Sequence, residues 1–124
     1  MSRNMIAKAT LAVLATGALA SSADAHPKLK SVSPTANVAS KVSPKEIKLN
    51  FSEGVIAKFS GLELKDEAGK TITTGVPVND QGDRKQLIVP LTAPLMAGRY
   101  TVNWHAVSED THRVKGEYSF EVAR

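Results

Sequence analysis

Histidine is the commonest metal-binding side chain in proteins, and this chain of 124 residues has three, His26, His105 and His112. It has no cysteine, which excludes thiolate ligands and cysteine nucleophiles. A metal site would therefore use imidazole, carboxylate, methionine or backbone groups. Asp110 lies two residues before His112. In an extended segment such side chains project to the same side, so this carboxylate and this imidazole could bind one ion together.

Residues 1–25 have the features of a secretory signal peptide. The first eight residues carry Arg3 and Lys8 and no acid, the next twelve are mostly small and apolar, and the segment ends in Ala23-Asp24-Ala25. This order is typical of a leader that signal peptidase removes. An N-terminal membrane anchor is the alternative, but twelve apolar residues are too few to span about 30 Å of hydrocarbon as a helix. We predict cleavage after Ala25, export to the periplasm and a mature domain of residues 26–124.

Cleavage at this point would make His26 the first residue, with a free α-amine beside its imidazole. The amine and Nδ1 can close a chelate ring on a metal, whereas Pro27 has no N–H to give up. Nitrogen donors in one plane suit copper(II), which favours tetragonal N/O sites. Asp110 and His112 could complete the donor set. Glu53 is a further carboxylate at the end of a predicted strand, and it could take an axial position or orient His26.

The elements that position these residues are predicted to be short strands. Residues 46–51 alternate strictly and place Ile47, Leu49 and Phe51 on one face. No stretch of the mature chain has a sustained helical period, and the prolines fall at or beyond strand ends. Six to eight strands with Gly and Pro punctuation predict an all-β sandwich. The other clear strands are predicted at residues 62–65, 71–73, 85–89, 99–107 and 117–122.

Trp104 and His105 lie next to each other on the strand predicted at 99–107. Trp104 could stack against a ligand, but it shares a face with Tyr100, Val102 and Ala106, and a core position is favoured. His105 should then point away from the core into solvent, with contact to the metal site as the alternative.

Composition limits the partners of the mature chain. Of its 16 Lys+Arg and 12 Asp+Glu residues, Arg3, Lys8 and Asp24 belong to the predicted leader, which leaves a net charge of +3. The basic residues are scattered, which disfavours nucleic-acid binding. No further apolar run is long enough to span a membrane. We expect a monomer that binds no nucleic acid and is not embedded in the membrane.

Several segments of the chain resemble the CopC copper-resistance family. They are His26-Pro27-Lys28-Leu29, residues 47–53 (IKLNFSE), residues 97–104 (AGRYTVNW), residues 106–112 (AVSEDTH) and the closing strand at 116–122. The resemblance covers essentially the whole mature chain in order. It implies a small Greek-key β-sandwich or barrel, immunoglobulin-like, with about seven strands.

The resemblance also implies a function and a site. The function is periplasmic copper(II) binding for copper homeostasis or resistance, by sequestering copper or carrying it, with a CopD-like inner-membrane transporter as partner. The implied ligands are His26, Asp110 and His112, with Glu53 near the metal. Some members of the family carry a methionine-rich copper(I) site, but the mature chain has only Met96. Copper(I) needs several soft donors, so we expect a single copper(II) site.

Two other functions are compatible with parts of the sequence. A terminal histidine that chelates copper also occurs in histidine-brace oxygenases, which oxidise polysaccharides. The anionic Asp110 would favour stable copper(II), however, and the chain lacks an aromatic-rich platform for sugar. A metal-free immunoglobulin-like adhesion module is the other alternative. We therefore predict a binding protein that is not an enzyme.

Overall fold

The computed structural model describes residues 26–124, so the predicted signal peptide lies outside the described residues. This part of the chain forms nine strands and a short 3-10 turn at Ala57–Phe59. No helix in the described range is long and apolar enough to cross a membrane. The strands are β1 Leu29–Ser33, β2 Ala39–Ser40, β3 Glu46–Phe51, β4 Gly61–Lys65, β5 Thr71–Ile72, β6 Val78–Asp80, β7 Asp83–Pro90, β8 Gly98–Val107 and β9 Arg113–Val122.

The strands form two sheets, with the orders β1-β3-β7-β6 and β2-β9-β8-β4-β5. The chain passes between the sheets repeatedly, so strand order within each sheet is not sequential. The longest pairing is the β8–β9 hairpin, which runs from Gly98 opposite Val122 to Val107 opposite Arg113. The predicted all-β sandwich is confirmed, with more strands than the seven or so expected.

The strongly alternating strands lie where the sequence predicts them. β3 has the predicted bounds, and β4, β5 and β8 differ from prediction by one residue at one end. β7 and β9 are longer than predicted, and β1, β2 and β6 were not predicted. These three lie at sheet edges and are short or largely exposed, so backbone pairing defines them while little apolar alternation marks them in the sequence.

The core lies between the two sheets and is built from their alternating residues. Ile47 and Leu49 of β3 are fully buried, and so is Val102 of β8. The Trp104 side chain is 8% exposed, and its ring meets Phe51 edge to face at a centroid distance of 5.5 Å. The predicted core position of Trp104 is confirmed. His105, the next residue, is exposed on the outer face, as predicted.

The Trp104 ring occupies the space above Gly116, its cross-strand partner on β9. An alanine Cβ at position 116 would lie 2.5 Å from Cζ2 of the indole. Since the ring also packs against Phe51, Gly116→Ala is expected to destabilise the fold by about 1–3 kcal/mol through overpacking. Urea denaturation measures this change. Gly82→Ala is the matched control, because the nearest heavy atom there is Oδ2 of Asp80 at 3.8 Å. Equal stability of the two variants would contradict the expectation.

Candidate metal centre

The N-terminal segment of the described chain is held against the end of β3. The Ser52 N–H donates to the Lys28 carbonyl at 2.8 Å, and the Ser52 hydroxyl accepts from the Lys28 N–H at 2.8 Å. Pro27 is buried, while His26 is exposed. The segment is thus fixed two residues after His26, and the His26 side chain projects from the end of the sandwich.

The loop at residues 108–112 connects β8 to β9 at this end. The Ser108 N–H donates to the His112 carbonyl at 2.9 Å, and the Thr111 N–H donates to the Ser108 carbonyl at 2.8 Å. Thr111 has a φ of 71°, in the left-handed region that turns use. This tight turn carries Asp110 and His112 on a backbone closed by its own hydrogen bonds.

A second set of contacts fixes the 108–112 loop to the segment that follows β3. The Glu109 N–H donates to the Gly54 carbonyl at 3.1 Å, and the Glu109 carboxylate pairs with Nε of Arg84 at 2.8 Å. A Cβ at position 54 would lie 2.6 Å from Oε1 of Glu109, so a side chain there would displace this carboxylate. Residues distant in sequence therefore hold the loop beside the end of β3.

These contacts bring together three of the four residues predicted as metal ligands. The His26 and His112 rings meet edge to face, with centroids 4.7 Å apart and an interplanar angle of 70°. Nδ1 of His112 lies 3.0 Å from Oδ1 of Asp110. The side chains of Asp110 and His112 are 54% and 38% exposed, respectively, so an ion could reach them from solvent. Their role as metal ligands stays a prediction.

Ser108 organises this cluster, although its residue type does not mark it as a site residue in the sequence. It is fully buried; its hydroxyl donates to Oδ1 of Asp110 and accepts from the His112 N–H at 3.1 Å. The Ser108 hydroxyl, and after it the His112 ring, hold the pKa of Asp110 below its ordinary value. A signal was available, because the two-residue period that buries Trp104 also points Ser108 inward, where a hydroxyl needs partners.

Glu53 is not drawn into the cluster by a polar contact. It is half-buried in the turn after β3, and its carboxylate forms no hydrogen bond or ion pair with another residue of the described range. Within residues 26–124, no group of three or more His, Asp or Glu side chains is arranged so that it could hold a metal ion. One predicted donor, the α-amine of His26, is a main-chain group and not a side chain. It would be free only after the predicted cleavage.

The chain is a small β-sandwich protein. Two histidines and a carboxylate at one end of the sandwich give it a candidate N/O metal centre. The family model of the CopC domain matches residues 29–123. The chain therefore belongs to the CopC family, as the sequence resemblance indicated. The match begins three residues after His26.

Named relatives resemble the chain over most of its length. Protein YobA of Escherichia coli K12 is 44% identical over 112 residues, which are 90% of this chain and 90% of the relative. Copper resistance protein C of Escherichia coli is 42% identical over 110 residues, which are 84% of this chain and 86% of the relative. A longer relative, copper transport protein CutJ of Bacillus subtilis, is 26% identical over 81% of this chain but only 18% of its own length.

Solved structures of CopC proteins have the same fold. CopC from Methylosinus trichosporium OB3b superposes with a TM-score of 0.73 and 32% identity, over 79% of this chain and 94% of the other. PcoC from Escherichia coli, described as a methionine-rich copper resistance protein, has a TM-score of 0.70 and 38% identity over 78% of this chain and 98% of its own.

Proposed function

We propose that the mature protein binds one copper(II) ion in the periplasm and serves copper resistance and homeostasis. The observation that carries the proposal is the contact between the His26 and His112 rings, with Asp110 bonded to the second ring. It occurs in a chain of the CopC family whose relatives include a copper resistance protein. A structural role alone gives no reason for two imidazoles to meet at an exposed end of the sandwich.

The proposal gives each donor a role that is compatible with its contacts. His112 would bind through a ring nitrogen, and its Nδ1 lies 3.0 Å from Oδ1 of Asp110, so the imidazole and the carboxylate are neighbours at the proposed site. Asp110 would bind through its carboxylate, whose Oδ1 contacts Ser108 and His112 in the metal-free protein. His26 supplies its α-amine and Nδ1. Glu53 follows the anchored Ser52 in the chain and would lie near the metal, as a further carboxylate ligand or as an outer residue that orients His26.

The donor set favours copper(II) over copper(I). Imidazole, amine and carboxylate are the donors of tetragonal copper(II) sites, whereas copper(I) prefers several thioethers or thiolates. Met96, the one methionine of the mature chain, is 81% exposed, and its carbonyl accepts from the Tyr100 hydroxyl. PcoC, by contrast, is described as methionine-rich. One copper(II) site is therefore the form that these residues support.

The deciding experiment uses the exported protein. Its intact mass must first correspond to a chain beginning at His26. Electron paramagnetic resonance with one equivalent of copper(II) should then report nitrogen and oxygen donors, and titration against a competing chelator should give one tight equivalent. Zinc and copper(I) should bind more weakly. Two tight equivalents, or a start other than His26, would contradict the proposal.

Copper(II) affinity is expected to fall as the solution becomes acidic. Amine and imidazole nitrogens bind metal only after losing a proton, while the Ser108 and His112 hydrogen bonds lower the pKa of Asp110 and keep it ionised. The loss in mild acid therefore comes from the nitrogens, at about tenfold per pH unit for each protonated donor. Chelator competition at about pH 5.5 and about pH 7.5 measures it. An unchanged affinity would mean that the nitrogens do not bind copper.

We further propose that the protein carries or buffers copper and has no catalytic role. CutJ supports a link to transport, because a region similar to this chain makes up only a part of a longer copper transport protein. A CopD-like inner-membrane transporter is the proposed partner. Ascorbate and oxygen should give no more peroxide with the copper-loaded protein than with free copper(II); a faster reaction would favour the oxidative alternative.

A further inference from the structure

An open groove of about 670 Å³ lies beside the 108–112 loop on the outer face of the five-stranded sheet. The 3-10 turn forms one side and is held to β8 by the Ile56 N–H, which donates to the Val107 carbonyl at 2.8 Å. Phe59, at the end of that turn, is 55% exposed. The residues that line the groove include Ile56, Phe59, His105, Val107, Arg113 and Lys115. The groove thus presents an apolar floor, with an aromatic ring open to solvent.

The rim of the groove is cationic. Arg113 and Lys115 point outward from β9, opposite Val107 and His105, and Nζ of Lys58 lies 5.9 Å from the centre of the Phe59 ring. None of these three cations forms an ion pair within residues 26–124, and no carboxylate of that range lines the groove. Their positive charge is therefore available to a partner.

The position of the groove links it to the candidate metal centre. Thr111 lines the groove and stands between Asp110 and His112 in the chain. A segment seated in the groove would therefore end next to two of the proposed copper ligands. A surface for copper exchange has to satisfy this requirement, because the ion moves only between donors that come within reach of it.

We propose that the groove docks an acidic segment, with an apolar anchor residue, of the protein that exchanges copper with this chain. The inference rests on the proposed copper(II) function and names the surface and the chemistry of the partner. Opposite charge at the rim accelerates and orients the encounter. A buried aromatic or aliphatic anchor on the apolar floor supplies most of the affinity.

Docking is tested on the metal-free protein, so the result does not depend on copper. A synthetic peptide of alternating Glu and Asp around one Phe is titrated into the isotope-labelled chain, and amide shifts are followed by NMR. Shifts should concentrate at Phe59, His105 and Lys115. A peptide with amides in place of the acids, and one with Ser in place of Phe, should each bind at least about tenfold more weakly.

Matched variants identify the surface. Lys58→Glu/Lys115→Glu and Phe59→Ser should each weaken binding of the acidic peptide at least about tenfold. The double variant Lys45→Glu/Lys70→Glu makes the same change in charge, on exposed residues near the opposite end of the sandwich, and should bind as the parent does. All variants should keep the parent copper(II) affinity. If the parent protein does not bind copper(II), the proposed function is wrong. The docking surface is decided separately, by the peptide titration alone.

Several outcomes would overturn the inference. Equal binding of the acidic and amide peptides would remove the charge argument, and equal loss in the control variant would remove the location. Vesicles containing anionic phospholipid are a second probe: binding to them through Lys58 and Lys115, without selectivity for the acidic peptide, would make this a membrane-facing surface. Concentration-dependent dimerisation that Phe59→Ser abolishes would make it a self-association surface.

Discussion

Replacing His112 with alanine is expected to lower copper(II) affinity more than about a hundredfold. Removing an outer partner of a metal-bound histidine typically costs about tenfold to a hundredfold, and His112→Ala removes a proposed ligand itself. It also takes away the ring that faces His26 at 4.7 Å and frees Asp110 from its contact at 3.0 Å. Chelator competition measures the change, and the paramagnetic spectrum should lose nitrogen coupling.

His105→Ala is the matched control for this prediction. It removes an imidazole from the neighbouring strand, and His105 is exposed on the outer face of the sheet. Its copper(II) affinity should equal that of the parent, and both variants should keep the parent unfolding free energy because neither ring belongs to the core. An equal loss in the two variants would show that copper binds to exposed histidines in general, and the assigned centre would be wrong.

The apolar pattern of the sequence could predict those strands that bury every second side chain. β3 and β8 bury every second residue, so their alternation is written in the sequence. β9 begins at Arg113, four residues before the predicted start. The prediction began too late because the inward position 116, which faces the Trp104 ring, is a glycine. A glycine in that position gives no apolar signal. β1 is defined by pairing with β3, which depends on a strand distant in sequence.

The candidate site divides in the same way. The spacing of Asp110 and His112 is local, so the sequence could predict that they act together. The contact of His26 with His112 depends on the anchoring of the N-terminal segment by Ser52, and sequence spacing does not contain it. The pairing of Glu109 with Arg84 is non-local for the same reason. The association of His26 with Asp110 and His112 was implied by the family resemblance, since periodicity gives no information about it.

The hydrogen bonds of the 108–112 loop would hold part of the proposed site in place before metal binds. The Ser108 hydroxyl bonds both the carboxylate of Asp110 and the backbone N–H of His112, so the carboxylate and the backbone that carries the imidazole are held before any ion arrives. Donors that are already in place lose less conformational freedom on binding, and affinity rises. The His26 side chain lies outside this network, two residues before the first anchored backbone contact at Lys28. Metal binding would therefore order His26 more than it orders the loop.

Adding one methionine ahead of His26 is expected to weaken copper(II) binding by several powers of ten, at about 1.4 kcal/mol for each factor of ten. The added residue converts the α-amine of His26 into an amide nitrogen, which gives up its proton to copper far less readily. The chelate ring between amine and Nδ1 is then lost, while every side chain of the proposed site remains. The comparison is a titration against a competing chelator, with the two proteins differing only in this residue.

The Met-extended protein separates two explanations that mutation of His26 cannot separate. His26→Ala removes the imidazole and keeps an amine, whereas the extension keeps the imidazole and removes the amine. If both donors bind copper, each change weakens binding and the spectrum loses one nitrogen in either case. The fold should be unchanged, since His26 is exposed and the first backbone contact of the segment is made by Lys28. Equal affinities of the mature and extended proteins would mean that the terminal amine is not a ligand. Signal-peptide cleavage would then have no part in forming the copper site.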